Sequence, residues 1–459
     1  MTTLFSLRKA TRPTLALLGL GLGLAGCQAD IDAPATASAG SASFTTYIAV
    51  GNSLTAGYQS GGLSRAGQLQ SYPNILATQF AAAGGGAFRQ PLFDQAYAHG
   101  SGYLRLAAIT NGAPVLAPVT DSLAVLPGSL RSGADFVLLR KYTGTDNQNL
   151  GIPGIKVSDA TTNGYGYNNP LGFNPYFERL LPSTLPGGGS SYLQYVQERV
   201  ATLKPTFFTN WLGNNDVLGY ARTGGVGDVL TPVADFTTKY KQVLDVLTAG
   251  GAKGLVATIP NVTNVPYFTA VKAATVKAAI RSNPALPNAA AASLYIRTGA
   301  GVVREAADTD YILLTAQAVI GTATPGVALP VGVGYSATLA NPLPSQYVLD
   351  ADEATAVLAR TTDLNTSIRN EASARNLALF DANTYFQGVA NGSVSVVTSG
   401  ITTNSAAFIT GNLFSLDGIH PSARGYALLA NEMIKAINTK YGSTVQQVDA
   451  ARYSGVLFP

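Results

Sequence analysis

Apolar positions along this chain fall into two kinds of run that take turns. Residues 46–50 form a short β-prone apolar run ended by Gly51, which reads as a buried strand. Leu193, Val196, Val200 and Leu203 recur at helical spacing until Pro205 stops them, and a strand is expected over 207–212. Phe236, Tyr240, Val243, Leu244 and Leu247 make a second helical stripe, closed by Gly250-Gly251 and followed by a strand at 255–259. Val357, Leu364 and Ile368 mark a helix ahead of a strand at 377–380. Tyr426, Leu429, Met433 and Ile437 give a last helix its inner face. Repeated strand–helix order predicts an α/β fold, a mostly parallel central sheet with helices on its faces.

Two stretches fit this rhythm poorly: 85–185, rich in Gly, Tyr, Asn and Pro, and 262–348, rich in Ala, Val and Pro. Segments this long inside a domain usually carry function or have structure of their own, so they read as insertions that either shape a substrate cleft or decorate the fold away from it. Tyr165-Gly166-Tyr167 in the first either offers faces for stacking sugars or packs inward.

The N-terminal end has a different texture. Arg8, Lys9 and Arg12 precede an apolar run at 15–24 that is short for a membrane span, which reads as an export signal. It ends in Leu24-Ala25-Gly26-Cys27, which resembles the lipobox of bacterial lipoproteins, so Cys27 is the expected site of lipidation and the first mature residue. Gln28 follows, with no aspartate beside the cysteine, and the resemblance then implies export to the outer membrane or cell surface. Residues 28–43, rich in Ala, Ser, Thr, Asp and Pro, read as a flexible tether reaching at most about 50 Å. Gly21-Leu22-Gly23-Leu24-Ala25-Gly26 matches a dinucleotide fingerprint in form, but no strand precedes it and no βαβ unit surrounds it. One folded domain is expected over 44–459.

Composition narrows the function. Charged residues are 12% of the chain, about half the usual share, and the net charge of +4 includes no basic run, which sets nucleic acid aside as a partner. A single cysteine excludes an internal disulfide and multi-cysteine zinc sites.

Candidate chemistry lies at the ends of the predicted elements. Ser53, in Gly51-Asn52-Ser53-Leu54-Thr55, stands where the first strand turns into a helix, at the sheet edge where open α/β folds bind ligands. A serine hydroxyl needs a neighbouring base, and the chain has two histidines, His99 and His420. His420 lies in Asp417-Gly418-Ile419-His420-Pro421. A carboxylate three residues before an imidazole reaches it within one turn and fixes its tautomer, while Pro421 keeps His420 out of helical conformation. His99 has no carboxylate near it in sequence and reads as a loop residue. Asp381, after the strand at 377–380, is the rival acid, since another serine-hydrolase fold takes its acid from a separate strand end.

These strings resemble the blocks of the SGNH/GDSL hydrolase family: Gly-Asp-Ser-Leu, a block centred on an oxyanion glycine, Gly-x-Asn-Asp, and Asp-x-x-His-Pro. Here they are Gly51-Asn52-Ser53-Leu54, Asn149-Leu150-Gly151-Ile152-Pro153-Gly154, Gly213-Asn214-Asn215-Asp216, and Asp417 through Pro421, in family order. Two departures stand out: Asn52 replaces the aspartate of the first block, and the second block is loose, leaving Gly154 with Gly151 as its competitor.

The resemblance implies a three-layer α/β/α sandwich of flavodoxin-like type and a serine ester hydrolase that needs no metal or cofactor. Ser53 would be the nucleophile, His420 its base and Asp417 the acid, with the Ser53 and Gly154 N–H groups and the Asn215 amide as oxyanion hole. Asp216 is expected to cap or support. The partners implied are a small-molecule or polymer-bound ester and a membrane, through the N-terminal anchor. A surface lipoprotein that binds glycan or polymer on the same fold without turnover is the alternative of a different class.

Overall fold

The structure, a computed structural model, describes residues 37–459 except 111–112, 127–137, 168, 170–171, 183–188, 395 and 399–401. Cys27 and the expected export signal lie outside the described residues.

Five parallel strands form the central sheet: β1 (Tyr47–Gly51), β2 (Asn149–Gly151), β3 (Phe207–Trp211), β4 (Lys253–Ala257) and β5 (Ala378–Phe380). β1 and β3 are buried at every position, which is why they read as unbroken apolar runs and not as alternation. The order across the sheet is β2-β1-β3-β4-β5. Strand order therefore reverses at β1, the point at which open α/β sheets bind ligands, outside the carboxyl ends of the strands.

Helices cover both faces. α2 (Tyr72–Ala81) and α8 (Ala423–Tyr441) pack together on one. α3 (Tyr192–Leu203), α5 (Val233–Thr248) and α6 (Ala351–Ala374) pack on the other. The three layers are those of an α/β sandwich with a parallel sheet. α5 buries Phe236, Tyr240, Val243, Leu244 and Leu247, the stripe expected from its spacing, each worth about 1.5–3 kcal/mol over exposure. Short α1 (Ser53–Ala56) and α4 (Asn215–Ala221) follow β1 and β3, and α7 (Ala382–Ala390) follows β5.

Three expectations need correction. α3 turns Tyr192, Tyr195, Val196 and Arg199 inward, while Leu193, Val200 and Leu203 of the expected stripe are only half-buried. Its tyrosines bury their rings and satisfy their tips, Tyr192 by donating to the Leu150 carbonyl (2.7 Å) and Tyr195 by accepting from Asn147 (2.8 Å). Residues 38–43, counted in the tether, belong to the folded part: the Ser41 N–H donates to the Tyr441 carbonyl (2.8 Å) and the Thr444 N–H to the Ser38 carbonyl (2.9 Å). Small residues there permit close docking, since a Cβ on Gly40 would lie 2.3 Å from the Tyr441 oxygen. Finally, the 85–185 stretch holds β2, a strand of the central sheet, besides a hairpin of Tyr103–Thr110 with Ala113–Val119.

The 262–348 stretch has its own four-stranded sheet and a separate core around Leu294, Ile296, Ile312, Val333 and Leu343. Tyr165 and Tyr167 are buried, so they pack and present no face for stacking sugars.

Candidate active site

β1, β2 and β3 are parallel, so the segments that follow them lie at the same edge of the sheet. β1 ends at Gly51, and Asn52 caps α1 by accepting the Leu54 N–H (3.0 Å), which puts Ser53 at the first helical position. Its N–H is one of the first-turn donors that no helix bond uses. Asn52 thus places a capping oxygen where the family has an aspartate, while its Nδ2 is buried with no partner among the described residues.

The loop that leads into α8 brings His420 to Ser53. His420 Nε2 lies 2.8 Å from Ser53 Oγ, and its Nδ1 lies 2.8 Å from Asp417 Oδ2. An ionised carboxylate only accepts, so the Nδ1–H donates to Asp417, leaving the Nε2 lone pair for the Ser53 hydroxyl. Asp417 Oδ1 accepts the N–H groups of Ile419 and His420, both at 2.9 Å, and Oδ2 also accepts the Gly61 N–H (2.8 Å). Burial alone would raise the Asp417 pKa, but the adjacent His420 and these donors outweigh it and hold it at about 2.

The loops after β2 and β3 are tied to one another. Asn215, first residue of α4, donates one amide hydrogen to the Ile155 carbonyl (2.9 Å). Asp216 accepts from the N–H groups of Val157 (2.8 Å) and Ser158 (3.3 Å). Its burial raises its pKa to about 7 against the pull of those same donors. Between these ties sits Gly154, at φ +85°, where an L side chain is strained. The Gly154 N–H has no partner among the described residues, whereas the Gly151 N–H donates to Asn149 Oδ1 (3.0 Å). Gly154, not Gly151, is therefore the glycine of the second block whose N–H remains open.

The structure brings together Ser53, His420 and Asp417, and does not bring Asp381 or His99 to them. Asp381 caps α7 and binds Arg369 (2.9 Å) and Thr258 (3.0 Å). His99 Nδ1 contacts the Asp121 carbonyl (2.9 Å) and, at 3.4 Å, the Asp121 carboxylate, a partner too distant in sequence to be anticipated. Two contacts at the site have no sequence signal. The Tyr58 ring lies 4.6 Å from the His420 ring, and the Tyr58 hydroxyl donates to the Gly61 carbonyl (2.6 Å), holding the turn whose N–H reaches Asp417. Among the described residues no group of three His, Cys, Asp or Glu is gathered as for a metal ion.

The sequence matches the model of the GDSL-like lipase/acylhydrolase family over residues 47–433. The chain belongs to that family. This GDSL-like protein is thereby a hydrolase, and the family supports ester hydrolysis in general. No curated protein matches it in sequence. Among solved structures it is similar to the lipase/acylhydrolase from Enterococcus faecalis at 13% identity and a TM-score of 0.32, covering 88% of this chain and 98% of that one. An alpha/beta hydrolase from the metagenome of Lake Arreo, Spain, matches at 13% identity and a TM-score of 0.35, covering 86% and 96%. An extracellular lipase from Streptomyces rimosus matches at 13% identity and a TM-score of 0.31, covering 86% and 99%.

Proposed function

We propose that this GDSL-like hydrolase is a serine esterase that cleaves carboxylic esters through an acyl-enzyme on Ser53. The unbroken hydrogen-bond chain from Ser53 Oγ through His420 to Asp417 carries the reading. His420 Nε2 takes the hydroxyl proton as Oγ attacks the ester carbonyl, and Asp417 steadies the imidazolium so formed. The carbonyl oxygen, now an oxyanion, is received by the Ser53 N–H, the Gly154 N–H and the Asn215 amide hydrogen not used on Ile155. Collapse returns the proton to the departing alcohol and leaves the acyl group on Oγ. Water then repeats the sequence, with His420 again as base, and releases the acid. Each step is a proton or acyl transfer that these side chains and water complete.

The export and anchoring readings belong to the same proposal. Leu24-Ala25-Gly26-Cys27 supports lipidation of Cys27, hence a protein held on a membrane, of the outer membrane or cell surface, acting on a small-molecule or polymer-bound ester. A fluorophosphonate probe tests the mechanism: a labelled peptide containing Ser53, absent from His420→Ala, is expected, and an unlabelled Ser53 in folded protein overturns it in favour of a binding lipoprotein. The mass of the N-terminal peptide tests the anchor, with a diacyl or triacyl Cys27 expected and an unmodified cysteine contradicting it.

A further inference from the structure

In this parallel sheet the strands begin at one edge and the helices end there, so the edge opposite Ser53 forms a foot. The folded chain enters at that foot. Ser38 and Ser41 bond to Thr444 and Tyr441 beyond the end of α8, and Lys253, first residue of β4, donates from Nζ to the Ser41 carbonyl. Ala37, the first described residue, follows Cys27 by only ten positions, a reach of about 35 Å at full extension.

Most of the lysines that have no ion pair stand around this entry point. Ten lysines lie in the described part of the chain, and six of them are in ion pairs: Lys141, Lys156, Lys239, Lys241, Lys277 and Lys435. The four without an ion pair among the described residues are Lys204, Lys253, Lys272 and Lys440, and all but Lys272 stand at the foot: Lys204 between α3 and β3, Lys253 at the start of β4, and Lys440 in the last turn of α8. Arg375, also there, is neutralised by Glu371 and Asp245. The lysines line two concavities that share Ser41, Gly251, Ala252 and Lys253, one of about 660 Å³ reaching Lys204 and one of about 410 Å³ reaching Lys440. Lys253 bonds the Ser41 carbonyl and Lys440 the Asn376 side chain, but none of the three has a carboxylate partner among the described residues, so together, around the point where the chain leaves toward Cys27, they form a surface complementary to anions.

We propose that this basic foot docks on the anionic phosphate headgroups of the membrane that holds the N-terminal anchor. The proposal rests on the lipid-anchor reading above and adds an orientation to it. With the foot down, Ser53 at the far end of the strands opens away from the bilayer, and its ester arrives from the aqueous side. Headgroup attraction to lysines at a membrane surface is electrostatic and weakens with salt.

The test uses the mature chain from residue 27 with Cys27→Ala, so that no acyl chain contributes, and measures co-sedimentation with phosphatidylglycerol and with phosphatidylcholine vesicles. Retention on phosphatidylglycerol alone is expected, falling with added salt and at least about tenfold weaker in K204E/K253E/K440E. K204Q/K440Q leaves the Lys253–Ser41 bond in place and is expected to lose part of the retention; it decides the matter if circular dichroism shows the triple variant unfolded. Equal retention on both lipids, no retention, or retention indifferent to the charge changes in folded protein overturns the proposal. The mass of Cys27 and the labelling of Ser53 are independent of these outcomes, so failure here is distinguishable from failure of the anchor or of the esterase reading.

Discussion

The Asp216 carboxylate accepts the Val157 N–H at 2.8 Å, joining the start of α4 to the loop after β2. One residue earlier, Asn215 holds the Ile155 carbonyl. Two adjacent residues therefore fix the Gly154 segment against the Asn215 amide, which sets the spacing between two of the three proposed oxyanion donors. A preorganised donor set needs such a support, because donors that must move on demand lose most of their electrostatic advantage.

Asp216 makes stability depend on pH in a defined direction. Its folded pKa of about 7 lies above the unfolded value of 3.8, so the folded state binds the proton more tightly. The contribution is full below about pH 4 and is lost as pH rises through 7, at most about 4 kcal/mol by linkage. Asp216→Asn removes that dependence. Urea unfolding at pH 5 and pH 8 is expected to show the variant further below wild type at pH 5 than at pH 8; a gap independent of pH contradicts the shift. Glu353, also raised to about 7, is common to both proteins and cancels in the difference.

Asp417 works in the opposite sense. Held at about 2 against an unfolded value of 3.8, it contributes about 2 kcal/mol of stability that is present above pH 4 and is lost as pH falls through 2. Its chemical role is separable from that of the rival acid. Asp417→Asn is expected to lower kcat by roughly 10⁴, the cost of a wrong imidazole tautomer. Asp381→Asn removes the ion pair with Arg369, keeps an Oδ1 to cap α7 and touches no contact of His420, so kcat should stay near wild type with a stability loss of at most about 1 kcal/mol. Steady-state kinetics on both variants would contradict the assignment if the larger loss fell on Asp381.

Asn215→Ala removes a proposed oxyanion donor and the tie to Ile155 together. A fall in kcat on the order of 10² to 10³ is expected, with KM changed little, since the lost bond forms only as the oxyanion develops. A variant as active as wild type would remove Asn215 from the mechanism.

Whether an element is legible in the sequence depends on the kind of signal it leaves. β1, β3 and α5 were legible because burial on both faces or on one stripe leaves a direct apolar record. β2 has three residues, two of them buried polar or glycine, and is defined by its pairing with β1, so no periodicity reveals it. The buried face of α3 departs from its apolar stripe because tyrosines and an arginine, which take their polar tips to partners, fill positions that an apolar count skips. At the site, Ser53, Gly154, Asn215, Asp417 and His420 stood in blocks of known order. Tyr58 and Gly61 did not: one acts through a ring face and a backbone carbonyl, the other through a backbone N–H, and neither leaves a side-chain pattern.

Ser53, driven by His420, is proposed to hydrolyse esters. Hydrolysis of p-nitrophenyl acetate, butyrate and palmitate by wild type and Ser53→Ala in parallel tests it most directly. Turnover by wild type that disappears in Ser53→Ala is the predicted result, and its chain-length profile then places the substrate between acetyl esters and lipids; turnover that survives in Ser53→Ala, or none from folded wild type on any of the three, would contradict the claim.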